Sequence, residues 1–314
     1  MINSPNNLPP EVQATADEQL LAVRTPRLIY KLAAMQKTLP SKGGTTLRSS
    51  RYDRLPTAVV PLSADGAPIP STPLNRVDID ATVSFYGLYS AINQRVFLQN
   101  QDMVLAEVSQ LMGLSLRMSE DQLCRDALAA SASVYYCTGG NNGDNPTNLG
   151  LSDIQTVVSA LMSADGNMIL ESQIGEDRFG TAPVPDAFVA FGHTELSKSL
   201  SNTPGFTSKW NYPSAATSRL GSEWGVIENM RFFLSSQGLK YANKTNLGNT
   251  LYSIMMCAME AYGCVYQDNF SSRIIYLGPE FSDPLMQNVT IGYTMAEVSR
   301  VYNDLWIVQT YCSL

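Results

Sequence analysis

The window Arg219–Ser236, RLGSEWGVIENMRFFLSS, holds the residue types of a sugar hydrolase: Glu223 and Glu228, with Trp224 beside the first. Two carboxylates flanking a glycosidic bond act as acid and base or as acid and nucleophile, and an indole offers a sugar a flat apolar platform. The same residues also suit a tight turn. Val226 and Ile227 lead into Glu228–Asn229, and Met230, Phe232 and Leu234 then alternate outward. Asn229 tolerates the left-handed backbone that a two-residue hairpin turn requires. Glu228 is then a charge at the tip, and Glu223 lies in a glycine-flanked bend with Trp224 turned inward.

Other chemistry is sparse. His193 is the one histidine, placed in AFVAFGHTELSKSL after an apolar run and ahead of a helical pattern, which fits a strand-to-helix junction. GxSxG, HExxH, paired CxxC, P-loop and GxGxxG patterns are absent, so no catalytic residue, cofactor or metal site is predicted from motifs. The five cysteines, Cys124, Cys137, Cys257, Cys264 and Cys312, are odd in number and unpatterned. They are expected as small buried hydrophobes in a reducing compartment.

The bulk numbers narrow the class. A chain of 314 residues with 44% hydrophobic and 16% charged content forms one large domain or two intimate ones. Low charge leaves Ser, Thr, Asn and Gln on the surface, which a second protein can cover without desolvating ions. The net charge of −7 argues against the basic surface that grips nucleic acid tightly. No apolar run approaches the roughly 18 residues of a membrane span, and the first residues carry no signal-peptide core. NFS at Asn269 and NVT at Asn288 match the glycosylation pattern, with nothing else pointing to secretion.

Behind these residues stand the elements that must position them. Residues 1–22 are polar, proline-rich and then acidic, and read as an arm. Leu28, Ile29, Leu32 and Met35 predict a short amphipathic helix, ended by Pro40, Gly43 and Gly44. From Thr45 the chain is extended and carries Arg48, Arg51 and Arg54, before a stretch with Pro68, Pro70 and Pro73 that no central strand accepts. Val77, Ile79, Ala81, Val83 and Phe85 then alternate with Asp78, Asp80, Thr82 and Ser84, which predicts a strand with one dry and one wet face. Two strands with a proline-rich tip describe a projecting β-arm; alone it is marginal, so it must lie on something, another copy of the chain included.

Gln101 to about Ala130 carries two apolar helical stripes, Val104, Val108, Leu111, Ser115 and Met118, and Leu105, Met112, Leu116, Leu123 and Ala127. CTGGNNGDNPTNLG is a connecting loop, and Ser152–Ser163 a second helix with SDIQ as a capping box. Short apolar strands follow in AFVAF, ENMRFFLSS, LYSIMMCA, CVYQ, RIIYLG, NVTIGYTM and DLWIVQTYC, giving an α+β class.

Within that order, LPSKGGTTLRSSRYDRLPTAVVPLSADGAPIP resembles the hallmark of the major capsid proteins of N-four-type tailed phages. The shared pattern is carried by Pro40, Gly43, Arg51, Tyr52, Leu55, Pro61, Leu62, Gly66 and Pro68, the last one residue early. Tyr86–Gly87 in SFYGLY, DQLCRDALAA, AFVAFGHTEL, and Ala261–Tyr262–Gly263 in AMEAYGCV are similar to later motifs of the family. The chain departs from it at GSEWG, where Gly-Glu-Ile-Gly is common, and at Asn229, where glycine is.

The resemblance covers residues 8 to 310 and implies an α+β, Hong Kong 97-type capsid fold. Its divisions are residues 1–40, N-terminal arm and short helix; 41–93, extended β-arm; 94–185, peripheral domain with spine helix; 186–274, axial domain; and 275–314, terminal strands returning to the peripheral domain. The implied role is a non-enzymatic major capsid protein, assembled in the host cytoplasm into hexamers and pentamers of an icosahedral virion head. Implied partners are itself, a portal, a decoration protein and packaged double-stranded DNA by non-specific contact, with no membrane. An encapsulin-type compartment shell and a hydrolase using Glu223 and Glu228 are the alternatives. Subunit-contact candidates are Arg48, Arg51, Arg54, Val77, Ile79, Val83 and Phe85, and turn-forming candidates are Gly87, Asn229 and Gly263. The three arginines either meet acidic groups of the adjacent subunit, near its spine helix, or are solvated charges on an edge strand.

Overall fold

The computed structural model describes residues 2–3, 26–55, 71–93, 95–96, 104–131, 133–138, 145–168, 187–211, 222–245, 247–268, 273–278, 285 and 287–314. In chain order the first strands are β1 (Ile2–Asn3), β2 (Met35–Leu39), β3 (Thr46–Tyr52), β4 (Arg76–Thr82) and β5 (Ser84–Asn93). The helix α1 (Val104–Ser131), β6 (Ser133–Tyr136), α2 (Leu151–Ser163), β7 (Phe188–His193) and α3 (Ser197–Asn202) come next. Then follow β8 (Thr207–Ser208), β9 (Glu223–Ile227), β10 (Met230–Ser235), β11 (Lys240–Tyr241) and β12 (Leu251–Cys257). The last are β13 (Tyr262–Gln267), β14 (Arg273–Leu277), β15 (Asn288–Val301) and β16 (Ile307–Ser313).

The strands form two large sheets and a hairpin. One sheet runs β1-β5-β15-β13-β2, with β14 also on β15; the other runs β6-β16-β12-β7-β10-β9-β8, with β11 on β12. β3 and β4 make the hairpin. The second sheet is buried on both faces. On one, Phe188, Ala190, Phe232 and Ile254 pack on Ile154, Val157 and Leu161 of α2. On the other, Val189, Phe191, Phe233 and Met255 meet Ile29, Tyr30 and the α1 residues Cys124 and Leu128. Each buried Val, Leu, Ile, Phe or Met among them contributes about 1.5–3 kcal/mol by leaving water.

α1 joins the two sheets. Over 28 residues it extends about 42 Å. Its first half lays Val108, Met112 and Leu116 on Ile92, Ile291 and Tyr293 of the six-stranded sheet, and its second half reaches the eight-stranded one. The helix does have two partners, but not along the two predicted stripes: Val108 shares its sheet with Met112 and Leu116 of the other stripe, Leu111 is 43% exposed, and Cys124 and Leu128 belong to neither. Gly113 leaves the helix unbroken, and a methyl group there would meet only Ile274 Cδ1 at 3.7 Å.

Several expectations are corrected by tertiary contacts. Leu28, Ile29, Leu32 and Met35 form no helix: residues 30–33 make a turn and Met35 begins β2. The buried Asp121 carboxylate takes the amides of Ile29, Tyr30 and Lys31 at 3.3, 2.9 and 3.2 Å, supplying the acceptors that helical carbonyls would have provided. α2 starts at Leu151, and its box is closed by Asp153, whose Oδ2 accepts the Gly150 amide at 3.0 Å. Residues Met230–Ser235 are all buried, so Met230, Phe232 and Leu234 do not face outward. β15 runs on past NVTIGYTM to Val301. The proline-rich arm tip at 56–70, most of the terminal arm, residues 101–103 and 139–144, and Asn269 lie outside the described residues.

Candidate subunit-contact surface

Antiparallel register gives the arm its two faces. Arg48 stands opposite Asp80, Ser50 opposite Asp78 and Tyr52 opposite Arg76; between them Leu47 faces Ala81, Ser49 faces Ile79 and Arg51 faces Val77. On the wet face Arg48 Nε and Nη2 donate to Asp80 Oδ1 and Oδ2 at 2.7 and 2.9 Å, a two-pronged pair. Arg76 donates to Asp78 at 2.6 Å and to Ser50 Oγ at 2.7 Å. The Arg48 guanidinium holds Asp80 below its ordinary range, and Ser50 with Arg76 does the same for Asp78. Exposed pairs of this kind add little stability. They do specify register, because a one-residue slip would turn Arg48 toward the apolar face.

The dry face is graded. Ala81 and Val83 are buried against Leu39, Val265 and Ala296. Val77 and Ile79 are half-buried farther out. Phe85 is 61% exposed and Tyr89, on the same face of β5, 76%. Among the expected contact residues, Val83 is therefore occupied within the chain, whereas Phe85, Ile79 and Val77 retain accessible surface.

The three arginines do not act as one cluster. Arg48 is held by Asp80, and Arg54 pairs with Asp165 at 2.8 Å with both side chains largely in water. Arg51 has no ion pair among the described residues. It lines a groove between the arm and the body together with Arg54, Ile79, Glu260, Leu305 and Trp306.

The glutamates of the opening window are not an acid/base pair. Glu223 is the fully buried first residue of β9, and Glu228 lies at the β9–β10 turn, where its Oε1 accepts from Gln155 at 3.0 Å. At strand rise they stand about 16 Å apart, outside the roughly 5–9.5 Å of a glycosidase pair. Glu223 occupies a strand, not a bend. Trp224 does pack inward on the core. The two-residue turn is present, but Glu228, with φ 50°, takes its left-handed position in place of Asn229. Asn229 instead offers its carbonyl to the Phe188 amide at 2.8 Å.

His193 does sit at a strand-to-helix junction, where its Nδ1 accepts the Glu195 amide at 3.1 Å, and burial lowers its basicity. Gly87 and Gly263 lie within strands, not turns. A Cβ on Gly263 would come within 2.4 Å of the Met35 carbonyl and 2.6 Å of the Tyr302 ring, so a close approach of backbones requires the glycine. A Cβ on Gly87 would meet the Tyr293 carbonyl at 3.1 Å. All five cysteines are buried and free. Two of them, Cys124 and Cys264, converge with Glu297 at a single point that no sequence spacing announces.

No family model and no curated relative matches the sequence. Solved structures do. The capsid of Ralstonia phage GP4 superposes with a TM-score of 0.66 at 10% identity, over 97% of this chain and 96% of that one. The capsid of cyanophage P-SCSP1u gives 0.64 at 14% identity, over 96% and 93%. The capsid of cyanophage Pam1 gives 0.62 at 14% identity, over 96% and 98%. What is shared at such identity is the fold: the chain has the Hong Kong 97-type α+β architecture of phage capsids, nearly end to end.

Proposed function

We propose that this chain is the major capsid protein of a tailed phage, self-assembling into the hexamers and pentamers of an icosahedral head around double-stranded DNA, with no enzymatic role. The observation that carries the proposal is reciprocal coverage. Capsid chains account for 96–97% of this chain and it accounts for 93–98% of theirs, so the likeness is to the whole shell chain and not to one shared motif. On this reading the chain belongs to a virion shell assembled in the host cytoplasm, with a portal, a decoration protein and weakly contacted DNA as further partners. Residues 1–40, 41–93, 94–185, 186–274 and 275–314 would serve as terminal arm, β-arm, peripheral domain, axial domain and returning strands.

The arm gives the proposal a physical basis. Its dry face keeps Val77, Ile79 and Phe85 accessible, and Arg51 and Arg54 line the groove beneath it, so a neighbouring subunit can bury both. A head-to-tail contact between different patches closes into rings by rotation, as hexamers and pentamers need. Electron microscopy of the purified protein decides. Closed shells or capsomer sheets are expected. A monomer in dilute and concentrated solution, with detectable glycoside hydrolysis, would overturn the proposal.

A further inference from the structure

Three elements meet where α1 crosses the six-stranded sheet. Cys124 comes from α1, Cys264 from β13, and Glu297 and Ser299 from β15, whose register sets Ser299 opposite Cys264 and Glu297 opposite Tyr266. The Cys124 and Cys264 sulfurs and a Glu297 carboxylate oxygen all lie within 4.8 Å of one another. Ser299 Oγ is 3.2 Å from Cys124 Sγ and 3.5 Å from Cys264 Sγ. Both cysteines are fully buried and Glu297 is 1% exposed.

The carboxylate is the unusual member. Apart from the Cys264 thiol beside it, neither Glu297 oxygen has a hydrogen-bond partner among the described residues, and the buried Tyr266 hydroxyl opposite has none either. Lys31 is already bonded to Glu120 at 2.5 Å. A buried carboxylate with no donor stronger than a thiol and no cation is costly, and native folds seldom leave one so. Burial accordingly pushes the Glu297 carboxyl up to about 8.

We propose that Cys124, Cys264 and Glu297 bind one thiophilic divalent cation of the zinc class, with the Ser299 hydroxyl within reach as a fourth donor. Zinc takes sulfur and oxygen together in a tetrahedron, whereas calcium and magnesium require all-oxygen shells. Loading releases the proton of each thiol, and that of Glu297 where it is protonated, with no change in oxidation state. The sulfurs, 2.9 Å apart, would open by about 0.9 Å to share an ion at zinc–sulfur distances of about 2.3 Å. A disulfide between the same cysteines is the rival chemistry, but it would leave Glu297 without a partner. The ion would fasten α1 to β13 and β15, inside one subunit and independently of any shell contact.

The test is metal analysis of the full chain purified from zinc-supplemented medium, with thiols counted in denaturant plus chelator. Close to one zinc per chain and all five thiols are expected. Cobalt in place of zinc should give a thiolate-to-metal absorption that Cys124→Ser or Cys264→Ser abolishes. Glu297→Gln should weaken zinc retention against a chromophoric chelator by at least about tenfold, the loss typical even of a perturbed outer ligand shell. Zinc well below stoichiometry with five thiols overturns the proposal. So does a count of three or fewer thiols that rises on reduction, the mark of a disulfide. If the serine variants fail to fold, the folded Glu297→Gln protein decides, and unchanged retention sinks the site.

Discussion

The Asp121 carboxylate, midway along α1, accepts the Tyr30 amide at 2.9 Å across 91 residues of chain. Its Oδ1 also takes Lys31, while Oδ2 takes Ile29. One side chain thereby fixes the turn that precedes β2. Asp121→Ala leaves two buried amides and the part-buried Lys31 amide without this acceptor, and at about 1–3 kcal/mol for each buried unsatisfied group we expect at least about 2 kcal/mol of destabilisation. Asp121→Asn retains an oxygen for Tyr30 and Lys31 and should cost less. Chemical denaturation of the two variants checks the order; equal losses would contradict it.

Gly263→Ala places a methyl group against the Met35 carbonyl and the Tyr302 ring. Backbone cannot yield as a side-chain end does, so a loss of about 1–3 kcal/mol is expected. Gly113→Ala, with open space and better helix propensity, should stabilise by up to about 1 kcal/mol. Thermal melting of both proteins measures the contrast.

At the β9–β10 turn the left-handed position belongs to Glu228. Glu228→Gly should therefore fall within about 1 kcal/mol of the parent or above it, since glycine relieves the backbone strain. Asn229→Gly gains no such relief and should only destabilise. If Asn229→Gly proved the more stable variant, the turn would be assigned wrongly.

Charge reversal at Arg48 sets like charges opposite one another on the arm. Arg48→Asp should raise amide exchange across 46–52 and 76–82 while leaving β12 protected, and should reduce shell yield. Adding Asp80→Arg restores the pair with its polarity exchanged and should restore both readouts. An arm as protected in Arg48→Asp as in the parent would remove the register role of this pair.

Acid should loosen the same hairpin. Ser50 and Arg76 lower Asp78, and Arg48 lowers Asp80, from an ordinary 3.8. A depressed folded value means that the stabilisation is present above that pH and is lost as pH falls through the folded values. Hydrogen exchange of arm amides should thus accelerate below about pH 3.8, relative to β12 amides, and high salt should blunt the effect. Arm protection that is constant to about pH 2 would rule out a role for either carboxylate.

What the sequence reveals depends on how far away the deciding partner lies. Val77 to Val83 show their two faces because the strand opposite is near in chain and the alternation is local. α1 shows its helical period for the same reason, but not which residues face which sheet. The turn at residues 30–33 reads as a helix because Asp121 supplies its acceptors from 90 residues away. β10 reads as one-faced because nothing local reports that α2 covers one side and α1 with Ile29 the other. Glu223 reads as chemistry because it is a carboxylate beside tryptophan; burial in a strand takes it out of reach of any substrate. Cys124, Cys264 and Glu297 share no motif, since each arrives on a different element.

The long strand β15 also sets a schedule for biosynthesis. It supplies the neighbour of β5, β13 and β14, and β16 does the same for β6 and β12. Neither sheet can close before these late segments leave the ribosome. β5 is finished about 200 residues before β15 is complete, which at 5–20 residues per second is a wait of about 10–40 s. For that interval a nascent chain displays Ala91, Ile92 and an unfilled strand edge to every other nascent chain beside it. On a polysome crowded with identical copies, the hazard is premature association, and the demand for a chaperone falls on the unfinished chain.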